Sequence, residues 1–236
     1  MPDSQVATLA WAAPQLDAAD VARCRAEYAE EGVTQFGGCT DGELREALLR
    51  FERDHRSEGS HRYAPPAQID DTIAGGFDFH RIDYGQYPRS RATLEDKRRL
   101  RDLFDDQGIS RIAAMLDAVL HPIVESVTGE AIRFVRPYLL VYREGGYIAP
   151  HCDAKIGNRI NVQISALDNC VSALRVFTPG GIKLLHDSPG VVRILGPRPW
   201  HEVPPLLPVE ASRPATRVLL TLRYDVPDKG GAIGAA

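Results

Sequence analysis

The stretch Tyr142-Arg-Glu-Gly-Gly-Tyr-Ile-Ala-Pro-His151-Cys-Asp153 decides how the rest of the chain is read. Its paired glycines mark a turn between two extended segments. The second segment ends in an imidazole and a carboxylate two residues apart. Residues i and i+2 of a strand share a face, so His151 and Asp153 can hold one metal ion together. An H-x-D pair alone is weak in a chain with seven histidines, and a third ligand must be found.

Downstream of residue 131 the pattern is one of short strands. Expected strands span 132–142, 147–153, 159–166, 172–178, 181–185, 190–195, 200–203 and 216–226. Turn residues separate most of them: Gly157-Asn158, Asp168-Asn169, Pro179-Gly180-Gly181, Ser188-Pro-Gly190 and Pro204-Pro205. Many short strands at close spacing indicate a sandwich or barrel.

Upstream the signals are helical. Asp17 is placed to cap a helix with Asp20 at N3 and a Leu16–Val21 staple; Gly32 ends it. Gly32-Val-Thr-Gln-Phe36 reads as a short strand. Thr40-Asp-Gly-Glu43 is a capping box before a stripe of Leu44, Leu48 and Phe51. Residues 93–106 form a charge-dense helix with a solvated face. Ile109, Ile112, Leu116, Val119, Ile123 and Val127 make a further helical stripe, interrupted at Pro122 and ended by Gly129. Residues 56–92 keep no period and are a candidate lid.

Helices first and strands afterwards give an α+β fold, a β-sandwich buttressed by N-terminal helices. The organisation expected is one domain over 1–236. Residues 1–130 are its mainly helical support, 131–227 its β-core and 228–236 a flexible tail.

The third ligand should come from the β-half. His186 lies in a turn sequence, His-Asp-Ser-Pro-Gly, and reads as a surface residue. His201, in Pro-Trp-His-Glu-Val, lies on an expected strand. Two histidines and a carboxylate with open positions suit non-haem iron(II), although zinc takes the same ligands. The last strand separates the two. On it Arg217, Leu219, Thr221 and Arg223 alternate onto one face, and Val218, Leu220 and Leu222 onto the other. An inward-facing arginine is costly without an anion, and a guanidinium grips a carboxylate with two N–H groups.

These residues resemble the iron(II)/2-oxoglutarate-dependent dioxygenases, nearest in motif order to the prolyl-hydroxylase-like group. The resemblance covers about residues 131–227. It rests on Gly146-Tyr147…His151-x-Asp153, Leu174-Arg-Val-Phe177, His201-Glu-Val203 and Ala215-Thr-Arg217…Tyr224-x-Val226. It implies a double-stranded β-helix (jelly roll) with Fe(II) on His151, Asp153 and His201. It further implies 2-oxoglutarate and O₂ as co-substrates, with Arg217 on the distal carboxylate of 2-oxoglutarate. Tyr142 matches a tyrosine that assists there, and Tyr138 shares its strand face. Arg159 matches a basic position at the mouth, and Asn161 follows it two residues on as a further candidate for binding substrate. Arg213 is a rival to Arg217, although Pro214 beside it indicates a turn. Arg223 and His80 are further candidates for binding substrate.

Charge and composition exclude other classes. The formal charge of −4 gives no basis for binding nucleic acid or an anionic membrane. No stretch approaches the ~18 apolar residues of a membrane span. Four cysteines without a C-x-x-C pair read as free thiols in a reducing compartment. With no signal peptide at the N-terminus, a soluble cytoplasmic enzyme is expected. Its partner is a small molecule with an anionic group, such as an amino acid or biosynthetic intermediate. A peptidyl prolyl residue is the alternative substrate, and a zinc hydrolase with Glu202 as base the alternative chemistry. Sequence leaves the oligomeric state open.

Overall fold

The structure, a computed structural model, describes residues 14, 16–38, 42–64, 75–84, 93–153 and 158–227. Four helices precede the main run of strands. α1 (Ala18–Glu31) starts where Asp17 accepts the Asp20 N–H at 2.8 Å, and ends at Gly32 with φ of 72°. α2 (Gly42–Asp54) buries Leu44, Leu48 and Phe51; the expected cap at Thr40 lies outside the described residues. α3 (Leu94–Asp106) opens with a reciprocal Thr93–Asp96 capping box and buries only Leu100 and Phe104, leaving its charges in water.

α4 (Ile109–Thr128) runs through Pro122 without a break. The proline removes an N–H that the Ala118 carbonyl would accept. Ala118 is exposed, so water can replace that donor. Its buried stripe is Ile109, Ile112, Leu116, Leu120, Val124 and Val127, so Val119 and Ile123 stand at the edge of the contact.

The strands are β1 (Val33–Phe36), β2 (Ser60–Ala64), β3 (Phe77–Ile82), β4 (Arg133–Arg143), β5 (Tyr147–His151), β6 (Arg159–Asp168) and β7 (Cys170–Val171). They continue with β8 (Ala173–Thr178), β9 (Gly181–His186), β10 (Val192–Leu195), β11 (Trp200–Val203), β12 (Leu207–Pro208) and β13 (Thr216–Asp225). Eleven of them form one sheet in the order β1-β10-β6-β13-β4-β3-β5-β11-β8-β9, with β2 on β3 and every described pairing antiparallel. The sheet curls into two leaves, a double-stranded β-helix with helices on one outer face.

β2 and β3 correct the reading of 56–92. β3 is integral to the sheet: β2 pairs along it, while β4 and β5 take its other edge. Both faces of β3 mix polar and apolar residues, Phe77, Phe79 and Arg81 on one and Asp78, His80 and Ile82 on the other. No hydrophobic period could reveal it. Residues 65–74, 85–92 and the tail 228–236 lie outside the described residues.

Strand alternation builds two cores. Val218, Leu220 and Leu222 of β13 join Val162 and Ile164 of β6 and Leu139 and Val141 of β4 against α2, α3 and α4. The alternate residues, Leu219, Tyr138, Leu140 and Tyr142, face inward with Ile148, Leu174 and Val203. Among the described residues no helix is long and apolar enough to cross a membrane. Leu220, fully buried under the helices, should cost about 2–5 kcal/mol as Leu220→Ala, read as a lowered urea midpoint.

Candidate functional site

The β4–β5 turn fixes the site. Gly145 has φ of 78°, and a Cβ on Gly146 would lie 2.9 Å from the Arg143 carbonyl oxygen, so both positions require glycine. β5 leaves that turn towards the inner cavity, whose volume is about 360 Å³. β11 pairs with β5 so that His201 directly opposes His151, with ring centroids 4.2 Å apart.

Backbone carbonyls set both rings. Nδ1 of His151 lies 2.9 Å from the Ala149 oxygen, and Nδ1 of His201 lies 2.9 Å from the Pro199 oxygen. A carbonyl can only accept, so each Nδ1 carries the proton and each Nε2 keeps its lone pair. Burial first, then the neighbouring His151, pushes His201 down to about 4, with Asp153 opposing. His201 is therefore a neutral imidazole at ordinary pH.

Asp153 lines the same cavity. Its Oδ2 accepts from Asn161 Nδ2 at 3.1 Å, and Asn161 Oδ1 accepts from the Tyr138 hydroxyl at 3.3 Å. Among the described residues no three His, Cys, Asp or Glu side chains close into a metal cage. Asp153 is turned towards Asn161, so ligation requires its carboxylate to swing to the imidazoles. The donor set, two neutral nitrogens and one carboxylate with other positions open, fits a divalent transition metal.

Arg217 lies on the opposite leaf, wholly buried, with its guanidinium carbon 5.1 Å from the Tyr142 ring centroid. Its Nε is 3.0 Å from Asp187 Oδ2, an ion pair by distance that is not aligned as a hydrogen bond. Nη1 and Nη2 have no hydrogen-bond partner. Tyr142 is equally buried, and that burial raises its phenol well above the usual range, so the hydroxyl stays protonated.

Sequence reasoning missed the counter-ion. Asp187 lies between two buried arginines: Arg193 Nη2 donates to its Oδ1 at 3.1 Å, and Ser165 donates to the same oxygen at 2.8 Å. Burial alone would raise the Asp187 pKa, but Arg217 and then Arg193 outweigh it and hold the carboxyl well below its usual range. Arg193 carried a readable signal, one charge inside Val191-Val-Arg-Ile-Leu195. Asp187 carried none, because its turn sequence reads as surface.

The other candidates divide. Tyr138, Asn161 and Arg223 line the cavity with the triad residues, Arg217 and Tyr142, and Arg62, Phe77, Phe79 and Arg81 of β2 and β3 join them. His80 points to the opposite face of β3 and contacts the Glu58 carbonyl. Arg159 pairs with Asp225 at 3.2 Å, and Arg213 with Asp168 at 3.0 Å; neither lines the cavity. Glu202 faces away from His201 and bridges Arg175 at 2.9 Å.

No protein-family model matches the sequence, and no curated protein matches it either. Solved structures do match the fold. A Pseudomonas putida prolyl-4-hydroxylase aligns over 86% of this chain and 98% of its own, with TM-score 0.53 and 19% identity. The non-haem alpha-ketoglutarate-dependent epimerase SnoN from nogalamycin biosynthesis aligns over 93% of each chain, with TM-score 0.59 and 15% identity. AviO1 from Streptomyces viridochromogenes Tue57 aligns over 92% of this chain and all of its own, with TM-score 0.51 and 15% identity. At these identities the likeness is one of fold, the double-stranded β-helix.

Asp187→Asn leaves Arg193 and Arg217 with no buried carboxylate. It should destabilise the protein by about 3–5 kcal/mol in urea unfolding. In the wild type the unfolded chain protonates this group first, near its ordinary 3.8. The contribution is therefore complete above that pH and is lost as the pH falls further.

Proposed function

We propose that the protein is an Fe(II)/2-oxoglutarate-dependent oxygenase that hydroxylates an unactivated C–H bond of a small molecule bearing an anionic group. One observation carries this reading: a fully buried arginine with two unpartnered N–H-bearing nitrogens shares a cavity with two imidazoles whose Nε2 atoms are free to ligate. The likeness in fold to a prolyl-4-hydroxylase and an alpha-ketoglutarate-dependent epimerase supports it.

His151, His201 and Asp153 would hold the metal, with Asp153 released from Asn161. Bound Fe(II), with 2-oxoglutarate and O₂, supplies the oxidation: R–H, O₂ and 2-oxoglutarate give R–OH, succinate and CO₂, one oxygen atom entering each of the first two products. Arg217 would take the distal carboxylate of 2-oxoglutarate through Nη1 and Nη2, while Asp187 steadies its Nε side. Tyr142 can donate its retained phenolic proton to the same carboxylate. Phe77, Phe79, Ile148 and Leu174 give the cavity apolar walls that exclude water.

The cavity volume suits a compact substrate better than a peptide. A zinc hydrolase would need a base beside the metal. Glu202 is turned outward to Arg175, and Asp153 is the one carboxylate among the described residues lining the cavity.

Anaerobic addition of Fe(II) and 2-oxoglutarate should produce a weak visible charge-transfer band, lost in His151→Ala and His201→Ala. Arg217→Lys keeps a charge beside Asp187 but loses the planar fork. It should raise the half-saturating 2-oxoglutarate concentration by about ten- to a hundredfold, as expected for a lost charged hydrogen bond. An unchanged titration would remove Arg217 from the co-substrate site, and a wild type with no band would overturn the oxygenase reading.

A further inference from the structure

One face of β6 runs between the two ends of the proposed co-substrate site. Asn161, Gln163 and Ser165 alternate onto it, while Val162 and Ile164 take the other face, in the core under the helices. Asn161 is bonded to Asp153, at the metal end. Ser165 is bonded to Asp187, the counter-ion of Arg217. Gln163 stands between them and lines the cavity.

The orientation of the Gln163 amide is set from behind. Arg193, opposite Gln163 in the β10–β6 register, places Nη1 3.4 Å from Gln163 Oε1. The contact is long, but a guanidinium only donates and its charge attracts the amide oxygen. The oxygen therefore faces Arg193, and the NH₂ group is turned away from it. Nε2 donates to none of the described residues. A hydroxyl in the same row is also unspent. Thr221 of β13, opposite Gln163, is wholly buried, and its Oγ1 has no hydrogen-bond partner. Buried polar groups are normally paired, so two unspent ones in one row point to a ligand.

The chemistry of the co-substrate says which atom meets this donor. Arg217 would hold one end of 2-oxoglutarate and the metal the other, with Gln163 between. The two central carbons are methylenes and accept nothing. A 2-oxo acid chelates through its keto oxygen and one oxygen of the adjacent carboxylate, which leaves the second carboxylate oxygen to accept. A charged acceptor gains most from a donor already fixed in a water-poor wall.

We propose that Gln163 binds the co-substrate: its Nε2 donates to the free oxygen of the 1-carboxylate of 2-oxoglutarate. Arg193 is the positioning residue that keeps the amide in the donating orientation. Arg193 also donates to Asp187 behind Arg217, so one buried guanidinium serves both ends of the co-substrate. This role for Gln163 rests on the oxygenase reading.

The test separates the two ends with pyruvate, which has the 2-oxo acid but no distal carboxylate. Wild type, Gln163→Met, Gln163→Glu and Arg217→Lys are titrated anaerobically with pyruvate and with 2-oxoglutarate at saturating Fe(II). The charge-transfer band reports binding. Gln163→Met should raise half-saturation about tenfold for both ligands, as for one lost hydrogen bond to a charged group. Gln163→Glu keeps an oxygen for Arg193, loses the donor and sets a charge against the carboxylate. Both ligands should weaken at least as much in it. Arg217→Lys should weaken 2-oxoglutarate and move pyruvate less than twofold. A Gln163 that merely supports Arg217 through Arg193 and Asp187 would behave differently. Gln163→Met would then weaken 2-oxoglutarate but not pyruvate, and Gln163→Glu would restore it. That pattern overturns the proposal, as does half-saturation unchanged for both ligands. If Gln163→Met fails to fold, pyruvate binding to Gln163→Glu decides: at least tenfold weaker supports the role, and unchanged removes it. A wild type with no band sinks the oxygenase reading and this role with it. A wild-type band with pyruvate indifferent to both Gln163 variants sinks this role alone.

Discussion

A guanidinium removed completely from water must be met by an anion, and the burial of Arg217 imposes that demand on this fold. Four separate elements answer it. β9 ends so that Asp187 turns inward, β10 supplies Arg193 to the other side of that carboxylate, and β6 supplies Ser165 to the same oxygen. The Arg217 ring neighbour is Tyr142, from β4. Two buried arginines share one buried carboxylate, so the local balance stays positive. A binding site for an organic anion follows from the imbalance: what would be a costly excess in a sealed core becomes affinity beside a cavity.

The two histidines show the same economy of means at shorter range. Antiparallel pairing brings His201 opposite His151, and the pleat turns both rings inward. Backbone carbonyls two residues upstream then select the tautomer. No dedicated side chain is needed to leave two Nε2 lone pairs on the cavity. Asp153 differs, because it sits beyond the end of β5 and is bonded to Asn161, which makes it the adjustable member of the set.

Much of the architecture was legible in local pattern. The Asp17 and Gly32 caps, the Thr93 helix start and the strands after residue 131 are written in nearest-neighbour chemistry. Alternation along β13 separated Arg217 and Arg223 from Val218, Leu220 and Leu222 before any contact was known. The pattern failed where a face was mixed. β3 alternates Phe77, Phe79 and Arg81 with Asp78, His80 and Ile82, so neither face reads as buried, and a strand inside the sheet passes for a loop. Pro122 failed in the other direction: an exposed Ala118 carbonyl lets the helix continue where a buried one would have ended it.

The sequence by itself determined the order of helices and strands, the inward face of the last strand, and the residues able to ligate or to grip an anion. Each of these follows from side-chain chemistry and a period of two or 3.6 residues. Only the tertiary structure decided which of them meet. It set His151 against His201 across a strand pair, kept Arg159 and His80 out of the cavity, and brought Arg62 and Arg81 into it. It also drew Asp187 from an apparent surface turn into the space between Arg193 and Arg217. Such meetings depend on how the sheet curls and which strands become neighbours, and a burial energy shared across distant segments leaves no mark in any one of them.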